Sequence, residues 1–306
     1  MASAGAVKKS SWIRSTRLRY HAASGEADKM ILRTPGGPLY FEVVGEGPPL
    51  VFLSGWAMSS ECWRPVVAML KRRYRCLIYD ARGMGRSQPA SRAARFEIED
   101  HAEDLHSVLE AAQMFDATLI GHELGSLIAA TLADHRPQDA RALALVSPRA
   151  AITESDIKRL SVFTPATIAL RDLAAFPLIR NLVAYRFRRA PAPFRETLYD
   201  DFANINPRAA YETAASAVSM ESAGRMEQLV AEIGRPVLII CGEKDKKGIA
   251  QSRLLFSRVS AGKLATMKDC GFLSMLEYPR QFARLLDGFA SGAYRKSSQA
   301  LLRREV

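Results

Sequence analysis

The segment Ile120-Gly121-His122-Glu123-Leu124-Gly125 decides how the chain is read. An apolar strand-like run, Ala117 to Ile120, enters it, and a helical-period segment over 124–135 leaves it. A strand that turns sharply into a helix lifts its central residue into a strained backbone conformation. Small residues two positions before and two after let the two backbones pass closely. Gly121 and Gly125 hold those positions, and Glu123 is the raised residue.

Outward from this turn the chain alternates two kinds of pattern. Pro49 to Leu53, Arg75 to Tyr79, Ala117 to Ile120, Ala142 to Val146 and Pro236 to Cys241 are short, continuously apolar and rich in Val, Ile and Leu. Strands buried on both faces of a parallel sheet read this way. Helical-period segments lie between them near 63–71, 97–113, 124–135 and 247–260, and a last helix is expected over Gln281 to Phe289. Met30 to Arg33 and Leu39 to Val44 alternate around Gly36-Gly37 as a hairpin does. The fold class is therefore α/β, a mostly parallel sheet flanked by helices. From Pro148 to Glu232 no strand-like run occurs. Ile157 to Leu170 and Pro177 to Tyr185 are instead apolar at helical spacing and punctuated by prolines, as in a helical cap inserted over the end of the sheet. This divides the chain into a basic tail over 1–29, a core over 30–147 and 233–290, a cap over 148–232 and a basic tail over 291–306.

Four further segments fall in order around the elbow. Leu53-Ser54-Gly55-Trp56 follows the first buried strand and Asp80-Ala81-Arg82-Gly83-Met84-Gly85-Arg86-Ser87 the second; Cys241-Gly242-Glu243-Lys244-Asp245 and Cys270-Gly271-Phe272-Leu273-Ser274-Met275-Leu276-Glu277 come after the cap. With the elbow they resemble, over about residues 30 to 290, the α/β-hydrolase superfamily. The resemblance implies a Gly-x-Ser-x-Gly nucleophile elbow, an oxyanion loop at Ser54 to Trp56, a Gly-x-x-Asp acid turn at Asp245 and a Gly-His-x-x-x-x-Glu segment carrying the catalytic histidine. It departs at two of the three catalytic positions. Glu123 stands where the serine is expected and Phe272 where the histidine is expected, while Asp245 matches the acid. The last histidine of the chain is His135, so no shift of the motif restores the imidazole.

A serine alcohol attacks only when a neighbouring base takes its proton, and both parts are missing at these positions. Two readings follow. In the first the protein is an enzyme of isomerase, lyase or cyclase type. Glu123 is then a general acid or base on a small apolar carbonyl-type substrate, and the backbone N–H groups of Leu124 and Trp56 supply oxyanion-type donors. An apolar pocket lined by Trp56 and Phe272, with Ser54 and His122 nearby, would raise the carboxyl toward neutrality, while the helix N-terminus would lower it. In the second reading the protein is a non-catalytic hydrolase-like protein that binds a ligand or a partner, with Phe272 filling the cavity and Glu123 paired, for example with Arg82 or a lysine. A third route, Glu123 as carboxylate nucleophile, would form an ester that Phe272 cannot help to hydrolyse.

Composition bounds the rest. With 306 residues, 48% of them hydrophobic, the chain is long enough for a core carrying a subdomain. No apolar run approaches the roughly 20 residues of a membrane-spanning helix. The net charge of +11 is concentrated at the ends, where Lys8, Lys9, Arg14, Arg17 and Arg19 precede any acid. That start reads as a solvated tail, with an organelle-targeting segment as the alternative. Arg186, Arg188, Arg189 and Arg195 form a second basic cluster, read as a solvated turn. Cys62, Cys76, Cys241 and Cys270 lie far apart without metal-type spacing, as reduced cysteines of a cytoplasmic protein do. His21, His101, His106, His122 and His135 make no ligand motif; His101, His106 and His122 read as structural. No metal, cofactor or nucleic-acid partner is expected. The expected partner is a small apolar or amphipathic molecule under the cap.

Overall fold

Among the described residues, nine strands form one sheet in the order β1-β2-β3-β5-β4-β6-β7-β8-β9. They are β1 Ser15–Thr16, β2 Asp28–Thr34, β3 Gly37–Val44, β4 Pro49–Leu53, β5 Arg75–Tyr79, β6 Ala117–His122, β7 Ala140–Val146, β8 Val237–Gly242 and β9 Gly262–Met267. A computed structural model describes residues 15–16, 27–88, 93–149, 185, 187–219 and 224–302. The first three strands pair antiparallel, and β3 joins β5 antiparallel. From β5 through β4, β6, β7 and β8 to β9 every pairing is parallel.

The buried runs explain why the parallel part forms. Successive side chains of a strand point to opposite faces, so a continuous apolar run feeds two cores at once. Val51, Leu53, Leu77, Leu119, Leu143 and Ile239 enter the core on one face, with Leu105, Val108, Ile128 and Leu132. Leu50, Phe52, Ile78, Ile120, Val146 and Ile240 enter the other, with Trp63, Val66, Leu70, Phe282 and Leu286. The helices that supply these residues are α1 Arg64–Leu70, α2 Ile98–Ala112, α3 Leu124–His135 and α9 Pro279–Leu302, with Trp63 at the end of a 3-10 turn over Ser60–Trp63 that leads into α1. Trp63 lies between Phe52 and Phe282, with ring centroids 5.3 and 5.9 Å away. Each such fully buried side chain contributes about 1.5–3 kcal/mol relative to exposure.

The remaining α-helices among the described residues are α4 Ala192–Asn204, α5 Pro207–Ala217, α6 Arg225–Glu232, α7 Lys246–Arg258 and α8 Ser274–Glu277. Three differences from the sequence reading stand out. The strand β9 has no counterpart in the sequence pattern, because at the edge of the sheet only Met267 is buried and no continuous apolar run is needed. Helix α6 lies in the stretch assigned to the cap, yet Met226, Leu229 and Val230 pack into the same core as α3. Helix α9 runs beyond Phe289 into the supposed tail, with Ala290 and Ala293 buried and the Tyr294 hydroxyl donating to the Pro49 carbonyl at 2.7 Å. The segments expected to be helical over Ile157 to Leu170 and Pro177 to Tyr185 lie outside the described residues, Tyr185 apart, as does most of the basic N-terminus. No helix among the described residues is long and apolar enough to cross a membrane.

Candidate functional site

The turn between β6 and α3 has the geometry that its glycines require. Glu123 adopts φ 48°, ψ −106°, a conformation a side-chain-bearing residue holds only under constraint, at a cost of order 1–3 kcal/mol. The constraint is visible in three hydrogen bonds and two close approaches. The Glu123 N–H donates to the Val146 carbonyl at 2.9 Å, Ser126 N–H to the Glu123 carbonyl at 3.0 Å, and Ser126 Oγ to the Gly121 carbonyl at 2.6 Å. A Cβ on Gly121 would lie 2.3 Å from the Gly125 backbone, and one on Gly125 would lie 2.5 Å from the Leu53 carbonyl oxygen. The strand-to-helix turn can therefore close on itself and lie against the end of β4 only through glycine.

The Glu123 carboxylate is not exposed and solitary. Its Oε2 accepts from the Trp56 N–H at 3.0 Å, and its Oε1 accepts from Arg149 Nε at 2.5 Å. The glutamate side chain is 13% exposed and the arginine 43%. Burial pushes the carboxyl up, but the Arg149 charge, the Trp56 N–H and His122 outweigh it, and the group is held below the usual carboxylate range. The near-neutral proton-transfer group expected if burial dominated is therefore not what the site contains, because a guanidinium compensates the buried charge. Nor is the partner Arg82 or a lysine. Arg82 is committed to Asp104, Nε to Oδ2 at 2.6 Å and Nη2 to Oδ1 at 2.7 Å.

The Trp56 N–H, expected as an oxyanion-type donor, is thus engaged by the protein's own carboxylate. Leu124, the other expected donor, opens α3 and is buried. The indole of Trp56 donates to the Ala210 carbonyl at 2.9 Å, which ties the oxyanion loop to α5. Ser54 does not join the cluster, since its hydroxyl donates to the Ser59 carbonyl at 3.0 Å and lies 3.5 Å from Cys62 Sγ.

His122 and Phe272 come together as a packed pair. Their ring centroids are 4.5 Å apart, edge to face, and His122 Nε2 donates to the Phe272 carbonyl at 3.2 Å. That bond places the proton on Nε2 and leaves Nδ1 buried without a hydrogen-bond partner. Burial is the main reason that the His122 pKa is down at about 4, so the ring is neutral and structural in character. Asp245 stands after β8 at the start of α7, where its Oδ1 accepts the Gly248 N–H at 3.0 Å as a helix cap. Its charge reaches His122, but no imidazole follows β9 for it to orient.

Two residues of this region carried no sequence signal. Arg149 follows Pro148 just past β7, in no motif, where only folding brings it to Glu123. Asp201, on α4, binds Ser59, where the oxyanion loop runs on past Trp56 toward α1. The other candidates are structural. His101 Nε2 pairs with Thr213 Oγ1 at 2.9 Å, and His106 Nδ1 with Asp139 Oδ2 at 2.7 Å. Arg189 of the second basic cluster lies exposed in a turn, from which it also binds Glu277 at 2.9 Å and so ties the stretch assigned to the cap to the core. All four cysteines are buried and free. Among the described residues, no group of three or more His, Cys, Asp or Glu is placed to hold a metal ion.

Residues 48–279 match a family described as alpha/beta hydrolase fold. A carbamate hydrolase RutD, so named in Azorhizobium caulinodans, is 32% identical over 127 residues, which are 42% of this chain and 43% of that protein. The chain thus spans less than half the length of that relative. The 3-oxoadipate enol-lactonase 1 of Acinetobacter baylyi is 24% identical over 266 residues, 85% of this chain and 96% of its own length. A solved structure of a hydrolase from Pseudomonas aeruginosa superposes with a TM-score of 0.72 at 23% identity, covering 86% of this chain and 98% of that one. By name, these relatives are enzymes that hydrolyse.

Proposed function

Because the chain belongs to the alpha/beta hydrolase fold family, we propose that it uses the family's elbow and oxyanion loop to hold a small apolar or amphipathic molecule, without an acyl-serine step. One observation carries this reading: the carboxylate of Glu123 sits on the Trp56 N–H and on Arg149, where a substrate's carbonyl oxygen would have to bind. The elbow presents no hydroxyl, and position 272, after β9, presents a phenyl ring. A carboxylate held ionised has no proton to give as a general acid and is a weak base, so isomerase, lyase or cyclase chemistry through Glu123 loses its main support. The same geometry speaks against an ester of Glu123, because the oxygen left for attack is the one Arg149 holds.

A second reading, hydrolysis with Glu123 as the nucleophile, is favoured by one observation: the relatives reported above carry the names of hydrolases. It requires Arg149 to withdraw when substrate enters.

The test incubates the purified full chain and Glu123→Ala with a pool of small carboxylic esters, lactones and apolar metabolites, followed by mass spectrometry of bound and free compounds. A fluorophosphonate probe is run in parallel. The expected result is a compound retained unchanged by the wild type and no probe labelling near residue 123. A compound transformed by the wild type but not by Glu123→Ala would establish the enzyme reading, and labelling in the elbow would overturn the loss of serine chemistry.

A further inference from the structure

The continuation of the oxyanion loop, at Ser59 and Ser60, is held from two sides by carboxylates. The consecutive amides of Ser59 and Ser60 donate to different acids: Ser60 N–H to Asp80 Oδ1 at 2.7 Å, and Ser59 N–H to Asp201 Oδ2 at 2.8 Å. Ser59 Oγ also donates to Asp201 Oδ2 at 2.8 Å. The two acids differ in origin and in compensation. Asp80 follows β5 and is paired with Arg86, Nε to Oδ2 at 2.8 Å. Asp201 comes from α4, whose other docking residues, Leu198, Tyr199 and Phe202, are buried and largely apolar. Among the described residues Asp201 makes no ion pair.

We propose that Asp201 is a proton-operated latch, which when protonated docks α4 on the oxyanion loop and when ionised loosens it. The groups that face it support this. Asp80 and Glu61 oppose a negative charge on Asp201, while the cations that pair with those two acids, Arg86 with both and Arg64 with Glu61, make no ion pair with Asp201 among the described residues. The buried Cys62 thiol is pushed far up and stays neutral. Burial first, then the Asp80 and Glu61 charges, against the two Ser59 hydrogen bonds, raise the Asp201 carboxyl from 3.8 to about 6.

The sign follows from linkage. The docked state holds the proton more tightly than an undocked, hydrated carboxyl. The added docking stability is therefore full below about 3.8, declines as pH rises through about 6, and levels off above. Between pH 4.5 and pH 7 these limits correspond to a roughly 25-fold weaker docking equilibrium. Because Trp56 of the same loop holds the Glu123 carboxylate and also binds Ala210 of α5, the latch couples the cap helices to the elbow. It does so whether or not the site turns over a ligand.

The test uses the full-length protein without ligand. Carboxyl carbon NMR follows the Asp201 titration, and amide hydrogen exchange of 192–204 is measured between pH 4.5 and pH 7, referenced to β6 amides in the same sample. The expected results are titration near pH 6 and a fall in relative protection of α4 approaching 25-fold in the wild type. In Asp201→Asn that protection should be independent of pH. Titration of Asp201 below pH 4.5, a flat wild-type ratio, or the same fall in Asp201→Asn would overturn the proposal. If the variant fails to fold, the wild-type titration and exchange decide the matter by themselves.

Discussion

Replacing Glu123 by Gln separates the charge of the elbow residue from its shape. Gln is nearly isosteric and inherits the same φ 48°, so the backbone strain cancels between the two proteins. Its carbonyl can still accept the Trp56 N–H, but its amide then points N–H groups at Arg149, a donor against a donor. What is lost is one charge-assisted bond at 2.5 Å. A hydrogen bond to a charged group contributes about 1.5–3 kcal/mol. Arg149 is 43% exposed and recovers hydration when released, so solvent screening reduces the expected loss to about 1–1.5 kcal/mol. Urea unfolding of both proteins at pH 7 measures this difference. The pH dependence has a definite sign. The folded-state pKa of Glu123 lies below its ordinary value, so the contribution is present above the ordinary carboxylate pKa and lost as pH falls through the folded value. The gap between wild type and Glu123→Gln should therefore close in acid. A variant at least as stable as the wild type at pH 7 would refute the argument, since it would mean that burying this charge costs more than Arg149 and Trp56 return.

Removing Arg149 should reverse the balance at the same carboxylate. In Arg149→Ala burial then dominates, the Glu123 carboxyl rises above its ordinary value by carboxyl carbon NMR, and stability at that site declines as pH rises through the new pKa instead of increasing. Gly121→Ala sets a Cβ 2.3 Å from the Gly125 backbone with no flexible side chain to yield, so a loss of about 3 kcal/mol in urea unfolding is expected. Asp104→Ala leaves Arg82 buried without its carboxylate, and a loss of about 3 kcal/mol is expected, toward the lower end for a broken buried pair because Arg82 keeps its bond to the Arg95 carbonyl. A loss under 1 kcal/mol, on the scale of an exposed pair, would show that Arg82 rehydrates freely.

The elements that position the site were legible wherever one residue pattern had one physical use. Pro49–Leu53 and Arg75–Tyr79 appear at the ends expected of them, because a short run of Val, Leu and Ile between polar turns has nowhere to go but a strand covered on both faces. Leu124–His135 begins where the elbow demands. The strand Gly262–Met267 was not legible, since an edge strand needs no continuous apolar run. The same holds for α6, whose apolar spacing fits a cap helix and a core helix equally well.

At the site the division is sharper. That an acid replaces the alcohol, and that no histidine follows His135, are facts of the linear chain, because residue identity needs no folding. The state of that acid is a different matter. Sequence proximity could offer Glu123 only its neighbours and a choice of cations, and Arg82 was as good a candidate as any. The choice of Arg149, and with it an ionised carboxylate rather than a proton-transfer group, arises when β7 lies beside β6 and brings the turn after Val146 over the elbow. Electrostatic interactions are decided by distance in space and by local burial, and both exist only after the sheet has assembled.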